Sequence, residues 1–464
     1  MTPGVIEAHG IGGQADLPIS LGLAISGAVA ALVVSFTVLV VAWRTPRYAT
    51  GLEAATDPGS GEVVESPHRR PTPVTFGLVA LRLVGMIGFL YAAFTAVFGQ
   101  NQLTNPFFGV VYVWLWVGVM FASLLFGPVY RAISPVRTIN AALARISGGD
   151  PELGVRDYPV RLGYWPAAVG LYAFVWMELV DKTPTDLGTV RLWCAIYVAV
   201  MLIGGAVFGS RFYEHADPFE VFSSLVGSLS VLGRDPEGRF IFRSPLAGVA
   251  QIPSKPGLVG VVAVLFGSTA FDSFRESTFW IGRIQAASIT GFTINNFGLL
   301  AFVLTAGLIF ALGSMCAGIA LHADRRPWRW VRLEPLAHPR SELPRRLAHS
   351  IVPIVAAYVI AHYLTLFIDV GTQTLARASD PLGKGWDILG TASLQPTYWF
   401  SYHPSLLATI KVGAVVVGHV AAAVVAHDRA IALLPRRHQI TGQLPLLAAM
   451  VAFTAGGLYL LFSA

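Results

Sequence analysis

Ten runs of roughly 20 mainly apolar residues, each long enough to cross a bilayer, decide the fold class before any other feature is considered. They occupy residues 19–43, 75–97, 106–126, 162–180, 190–208, 258–274, 297–321, 349–374, 406–426 and 446–463. In lipid every backbone N–H and C=O must be satisfied within the segment, so runs of this length fold as helices. Only 12% of the chain is charged and 54% is hydrophobic, against about 25% charged in an average soluble domain. The expectation is an all-α, polytopic integral membrane protein of about ten transmembrane helices. A flexible arm at 1–18 precedes a single membrane domain at 19–464. The arm has no Lys or Arg and no apolar stretch, so the first run reads as a retained helix.

The basic residues set the orientation. Segments 44–74, 127–161, 209–257, 322–348 and 427–443 hold 4, 5, 5, 7 and 3 Lys plus Arg, 24 of the chain's 32. They fall in every second link, as cytoplasmic loops do. Ten spans then leave both termini extracytoplasmic, in a multi-pass protein of the cell's inner (plasma) membrane. The net charge of +6 is therefore a topological signal and gives no case for nucleic acid. Within 127–161 the Arg residues line one side of an amphipathic, interfacial helix broken at Pro135. Residues 210–232 read as a polar turn, capped by Asp217, and a short surface helix. Cys194 and Cys316 lie in apolar runs and read as small hydrophobes without a disulfide framework.

The run at 349–374 carries His362 and Asp369, seven residues apart and so on one helical face, with Gln373 a turn further on. A carboxylate at membrane depth costs about 3 kcal/mol on insertion scales unless it finds a partner or water. Other spans bring ionisable residues to the same outer half. Asp272 and Arg275 stand three apart and can pair, Glu178 ends the fourth run, and Lys411 and His419 lie in the ninth. The candidate site is thus His362, Asp369, Asp272, Arg275, Lys411 and His419, expected to line one outward-facing aqueous cavity. A His beside a carboxylate suits general base or proton-relay chemistry. A buried Lys or Arg suits an anionic group. The competing reading is a set of interhelical ion pairs that fix packing alone.

His9, in the glycine-rich arm, is a candidate ligand for a divalent transition metal, although no HxH or HxxxH spacing supports it. HExxH, GxSxG, Walker A and GxGxxG motifs are absent from the sequence.

Several segments carry a family likeness: AHGIGGQADLPI, NPFFGVVYVWLWVG, LFGPVYRAISPVRTIN, LGYWPAAVGLYAFVWMELV, FDSFRES, AHYLTLFIDVG and GHVAAAVVAHDRAIAL. In this order they resemble the bacterial polytopic membrane proteins known as fenitrothion hydrolases. The resemblance implies hydrolysis of a lipophilic organophosphorus ester at a membrane-embedded site, and it assigns no catalytic residues. The residues alone support two alternatives. One is a transporter or ion-coupled permease using intramembrane Asp, His and Lys. The other is a metal-handling accessory membrane protein. The expected partners are the lipid bilayer and a lipophilic small molecule.

Overall fold

The computed structural model describes residues 16–48, 76–234, 239–321, 331–333, 336, 338–435 and 439–462. The chain is an all-α, polytopic membrane protein. Its helices are α1 (Leu21–Ala42), α2 (Phe76–Phe98), α3 (Pro106–Phe126), α4 (Val129–Ile133), α5 (Pro135–Ile146), α6 (Trp165–Leu179), α7 (Leu187–Phe208), α8 (Ser210–Ala216), α9 (Pro218–Gly227), α10 (Pro245–Ala250), α11 (Leu258–Arg275), α12 (Thr278–Ala286), α13 (Gly291–Met315), α14 (Leu343–Leu347), α15 (Val352–Arg377), α16 (Pro404–Leu433) and α17 (Leu444–Phe462). Two antiparallel hairpins, Leu232–Arg234 with Phe240–Phe242 and Ile319–Leu321 with Val331–Leu333, are the sheet among the described residues.

Among the described residues nine helices are long and apolar enough to cross a membrane. The expected fourth span is the exception. Its helix, α6, has 15 residues and is therefore about 22 Å long, against a hydrocarbon core of about 30 Å. The start is fixed locally. Gly163 takes a left-handed φ of 45°, Pro166 occupies the first turn, and the Tyr164 amide donates to the Pro256 carbonyl at 2.7 Å.

Burial sorts the helices into centre and periphery. Most of α11 and α15 is buried, whereas only Thr95 and Ala96 are buried in α2, leaving its apolar surface for lipid. α15 packs against α16, α3 and α11, and α11 in turn against α13 and α6. Small residues set the close approaches: a Cβ on Gly267 of α11 would lie 2.6 Å from Val303 Cα of α13. Where α3 faces α15, residues Gly109–Gly118 widen into a π-helix, a rare geometry associated with functional sites.

Residues 210–232 differ from expectation. The turn and its cap are present, since Asp217 accepts from the Phe219 and Glu220 amides at 3.0 and 3.4 Å. The helix that follows is not on the surface. Phe219, Val221, Phe222, Leu225 and Val226 of α9 are buried, and α9 packs on α3, α4 and α7's neighbour α6. Its polar residues are matched there. Arg137 of α5 grips Glu220 through Nε and Nη2 at 2.5 and 2.7 Å, and its Nη1 donates to Ser210 Oγ at 2.6 Å. Arg131 pairs with Glu214 at 2.7 Å. The amphipathic pair α4–α5 breaks at Pro135 as the sequence indicates.

The end of α1 is clipped to α16. Asp428 accepts from Trp43 Nε1 at 3.1 Å and from the Arg47 and Tyr48 amides at 2.6 and 3.0 Å. His427 bonds the Trp43 carbonyl at 3.0 Å, so it complements the C-terminus of α1. Cys194 and Cys316 are free and half-buried.

Candidate functional site

Asp272 is the hub of the buried polar centre. It sits one turn before the end of α11, and its side chain is fully buried. Its Oδ2 accepts from Tyr363 Oη at 2.9 Å and lies 3.0 Å from His362 Nε2, both on α15. Its Oδ1 pairs with Arg275 Nε at 3.2 Å, one turn along α11. Arg275 Nη1 donates to the Leu179 carbonyl at 2.8 Å, tying the end of α6 into the same centre. Asp272 and Arg275 together thus tie three helices to one another.

The imidazole of His362 is held at both nitrogens. Nε2 faces Asp272, and Nδ1 lies 3.2 Å from Ser273 Oγ. The Ser273 hydroxyl is also 3.2 Å from the Thr269 carbonyl. A hydroxyl has one proton to donate. With Asp272 ionised and Nε2 donating to it, a hydroxyl that points at Thr269 leaves Nδ1 to carry a proton as well, and the ring is charged. When it points at Nδ1, the ring is neutral and donates through Nε2 alone. A rotation of one hydroxyl therefore matches the site to either protonation state of the ring.

Further charges gather around this core. Glu178 of α6 is within electrostatic reach of Asp272 and Arg275. Glu276 is within reach of Asp272, Arg275 and Lys411, and Lys411 within reach of Asp16 and Glu276. Asp16, Glu178, Asp272 and Glu276 are four carboxyl groups, and Arg275 and Lys411 are two permanent-type cations. Among the described residues carboxyls outnumber those cations by two. In a low-dielectric interior such a surplus draws positive charge to the site.

The expected residues do not all converge. Asp272, Arg275 and His362 share direct contacts, and Lys411 joins through charge. Asp369 does not meet His362. Its Oδ2 accepts from Ser401 Oγ at 3.4 Å, while Oδ1 is buried without a hydrogen-bond partner. Gln373 donates to Tyr398 Oη at 2.9 Å, so this face of α15 is covered by the link at 376–403. His419 bonds the Val415 carbonyl of its own helix at 2.8 Å through Nδ1, and Nε2 is without a partner. Asp272, His362, Asp369 and Lys411 are each at most 1% exposed. They are enclosed side chains, where a cavity open to the outside was expected.

No family model, curated protein or solved structure matches this chain. The site is therefore read from its own chemistry. Among the described residues no group of three or more His, Cys, Asp and Glu is placed to hold a metal ion, and His9 lies outside the described residues. An open cleft of about 550 Å³ near the same end is lined by Asn101, Gln102, Thr104, Lys182, Thr183 and Asp186. None of the candidate residues lines it.

Sequence reasoning missed Tyr363, Ser273 and Asp16. Tyr363 had one available signal, a hydroxyl next to His362 in an otherwise apolar helix. Ser273 is adjacent to Asp272 but reads as a helix-filling small residue until α15 is in place.

Proposed function

We propose that this chain is an ion-coupled membrane transporter in which the Asp272–His362 pair takes up and releases the coupling proton. The observation that carries this reading is the bonding of His362 on both ring nitrogens, to a carboxylate on one side and a rotatable hydroxyl on the other. The ring has partners in its neutral and its charged form, so it exchanges a proton without leaving a buried donor or acceptor unmatched. The carboxyl surplus around it supports the same reading, because it supplies the negative field that an incoming proton neutralises. Arg275 and Tyr363 hold the Asp272 carboxylate in position. Enclosed burial suits alternating access, in which the site opens to one side at a time.

The test is an acid pulse applied to proteoliposomes carrying an internal pH dye. Wild-type protein dissipates the gradient, Asp272→Asn and His362→Gln abolish the effect, and Tyr363→Phe weakens it. Equal dissipation by wild type and Asp272→Asn overturns the reading.

The resemblance to fenitrothion hydrolases favours a second reading. Ser273, His362 and Asp272 form a hydroxyl–imidazole–carboxylate chain, the connectivity used in acyl and phosphoryl transfer. In that reading Asp272, not Asp369, orients His362 as the base, and Ser273 is the attacking group. It requires phenol release from fenitrothion by purified protein, lost in Ser273→Ala. No turnover above buffer removes it.

A further inference from the structure

A second buried carboxylate lies far along the chain from this centre and has no role in it. Asp217 is fully buried at the start of α9. Its Oδ1 receives the Phe219 and Glu220 amides and the Tyr197 hydroxyl, the last at 3.0 Å. Its Oδ2 is buried and has no hydrogen-bond partner. Behind Tyr197, Tyr130 Oη lies 2.9 Å from its hydroxyl. The cation of this cluster, Arg137, is held in the two-pronged bond to Glu220 and the contacts to Ser210.

We infer that Asp217 is a proton-binding site in its own right, and that its charge state sets how α9 is held against α7. The groups facing it are Glu220 on α9, Tyr197 on α7, Tyr130 on α4, Tyr213 on α8 and Arg137 on α5. Three are hydroxyls that are neutral at ordinary pH, one is a like charge, and the single cation is engaged elsewhere. A helix N-terminus alone would hold a carboxylate as an anion. Here full burial and the Glu220 charge oppose ionisation and push the Asp217 carboxyl up to about 7. A proton on Oδ2 leaves Oδ1 free to keep all three of its bonds. Loss of that proton places a second negative charge beside Glu220 in a dry setting, which loosens the α9 start. The inference is independent of the reading of the Asp272–His362 centre.

Infrared difference spectroscopy against pH, on the full chain in detergent, tests it. One component of the carbonyl-stretch band of protonated carboxylic acids should appear as pH falls through neutrality, be missing in Asp217→Asn, and persist in Asp272→Asn. Tyr197→Phe removes a bond that favours the anion, so the midpoint should rise by about one pH unit. A band unchanged in Asp217→Asn overturns the inference. If that variant does not fold, an unmoved midpoint in Tyr197→Phe overturns it equally.

Discussion

His362 lies 3.0 Å from Asp272 of the neighbouring helix α11 and makes no bond to Asp369, two turns along its own helix. Helical spacing puts His362 and Asp369 on one face, but a rise of about 1.5 Å per residue separates them by about 10 Å along the axis. A shared face does not give contact at that separation. The partner comes from α11, whose close packing on α15 brings Asp272 to the level of His362 and Tyr363.

Removing the hub should be costly. In Asp272→Ala the buried His362 and the half-buried Arg275 lose their carboxylate, at about 3–5 kcal/mol. Asp272→Asn keeps the shape and an acceptor for Tyr363, so its loss should be smaller. Thermal unfolding in detergent, ranked wild type, then Asn, then Ala, checks the order.

Ser273→Ala should leave the fold intact and slow proton exchange. It removes the Ser273 hydroxyl that Nδ1 meets at 3.2 Å, worth about 1 kcal/mol. Gradient dissipation in proteoliposomes should fall several-fold without reaching the level of Asp272→Asn.

Arg137 and Glu220 should behave as a unit. Arg137→Met leaves the buried Glu220 without its partner and should cost about 3–5 kcal/mol, whereas Glu220→Gln leaves Arg137 its Ser210 contacts and should cost less. The double variant should cost clearly less than their sum. A double-mutant cycle by thermal unfolding reads this directly.

The fold was largely legible because hydrophobic run length is a direct physical requirement of the bilayer. The long spans, the break at Pro135, the Asp217 cap and the Asp272–Arg275 pair all follow from local rules. What was not legible depends on neighbours. Burial of α9 is decided by Arg137, whose guanidinium satisfies Glu220 and Ser210 from a separate helix. The shortening of α6 is decided by Gly163 and Pro166 inside an apolar run that hydropathy alone reads as continuous. The site was half legible. Ionisable residues in apolar helices flag themselves, whereas Tyr363 and Ser273 acquire a role only when α11 and α15 meet.

Asp217 should make stability depend on pH. Its carboxyl is raised to about 7 in the fold, against about 4 in the unfolded chain. Between those values the folded protein keeps a proton that the unfolded chain has lost. Its contribution is thus full below about pH 4 and lost as pH rises through 7. The contribution is at most about 4 kcal/mol. Unfolding midpoints from pH 5 to 8 should fall for wild type and fall less for Asp217→Asn.

The most direct measurement is nitrogen-15 NMR of histidine-labelled protein in lipid, with His362 assigned by loss of its signals in His362→Gln. The two ring nitrogens should pass between neutral and doubly protonated signatures as pH changes, and Asp272→Asn should displace that transition. A His362 ring that keeps one protonation state across the whole range, in wild type and Asp272→Asn alike, would contradict proton exchange at this centre.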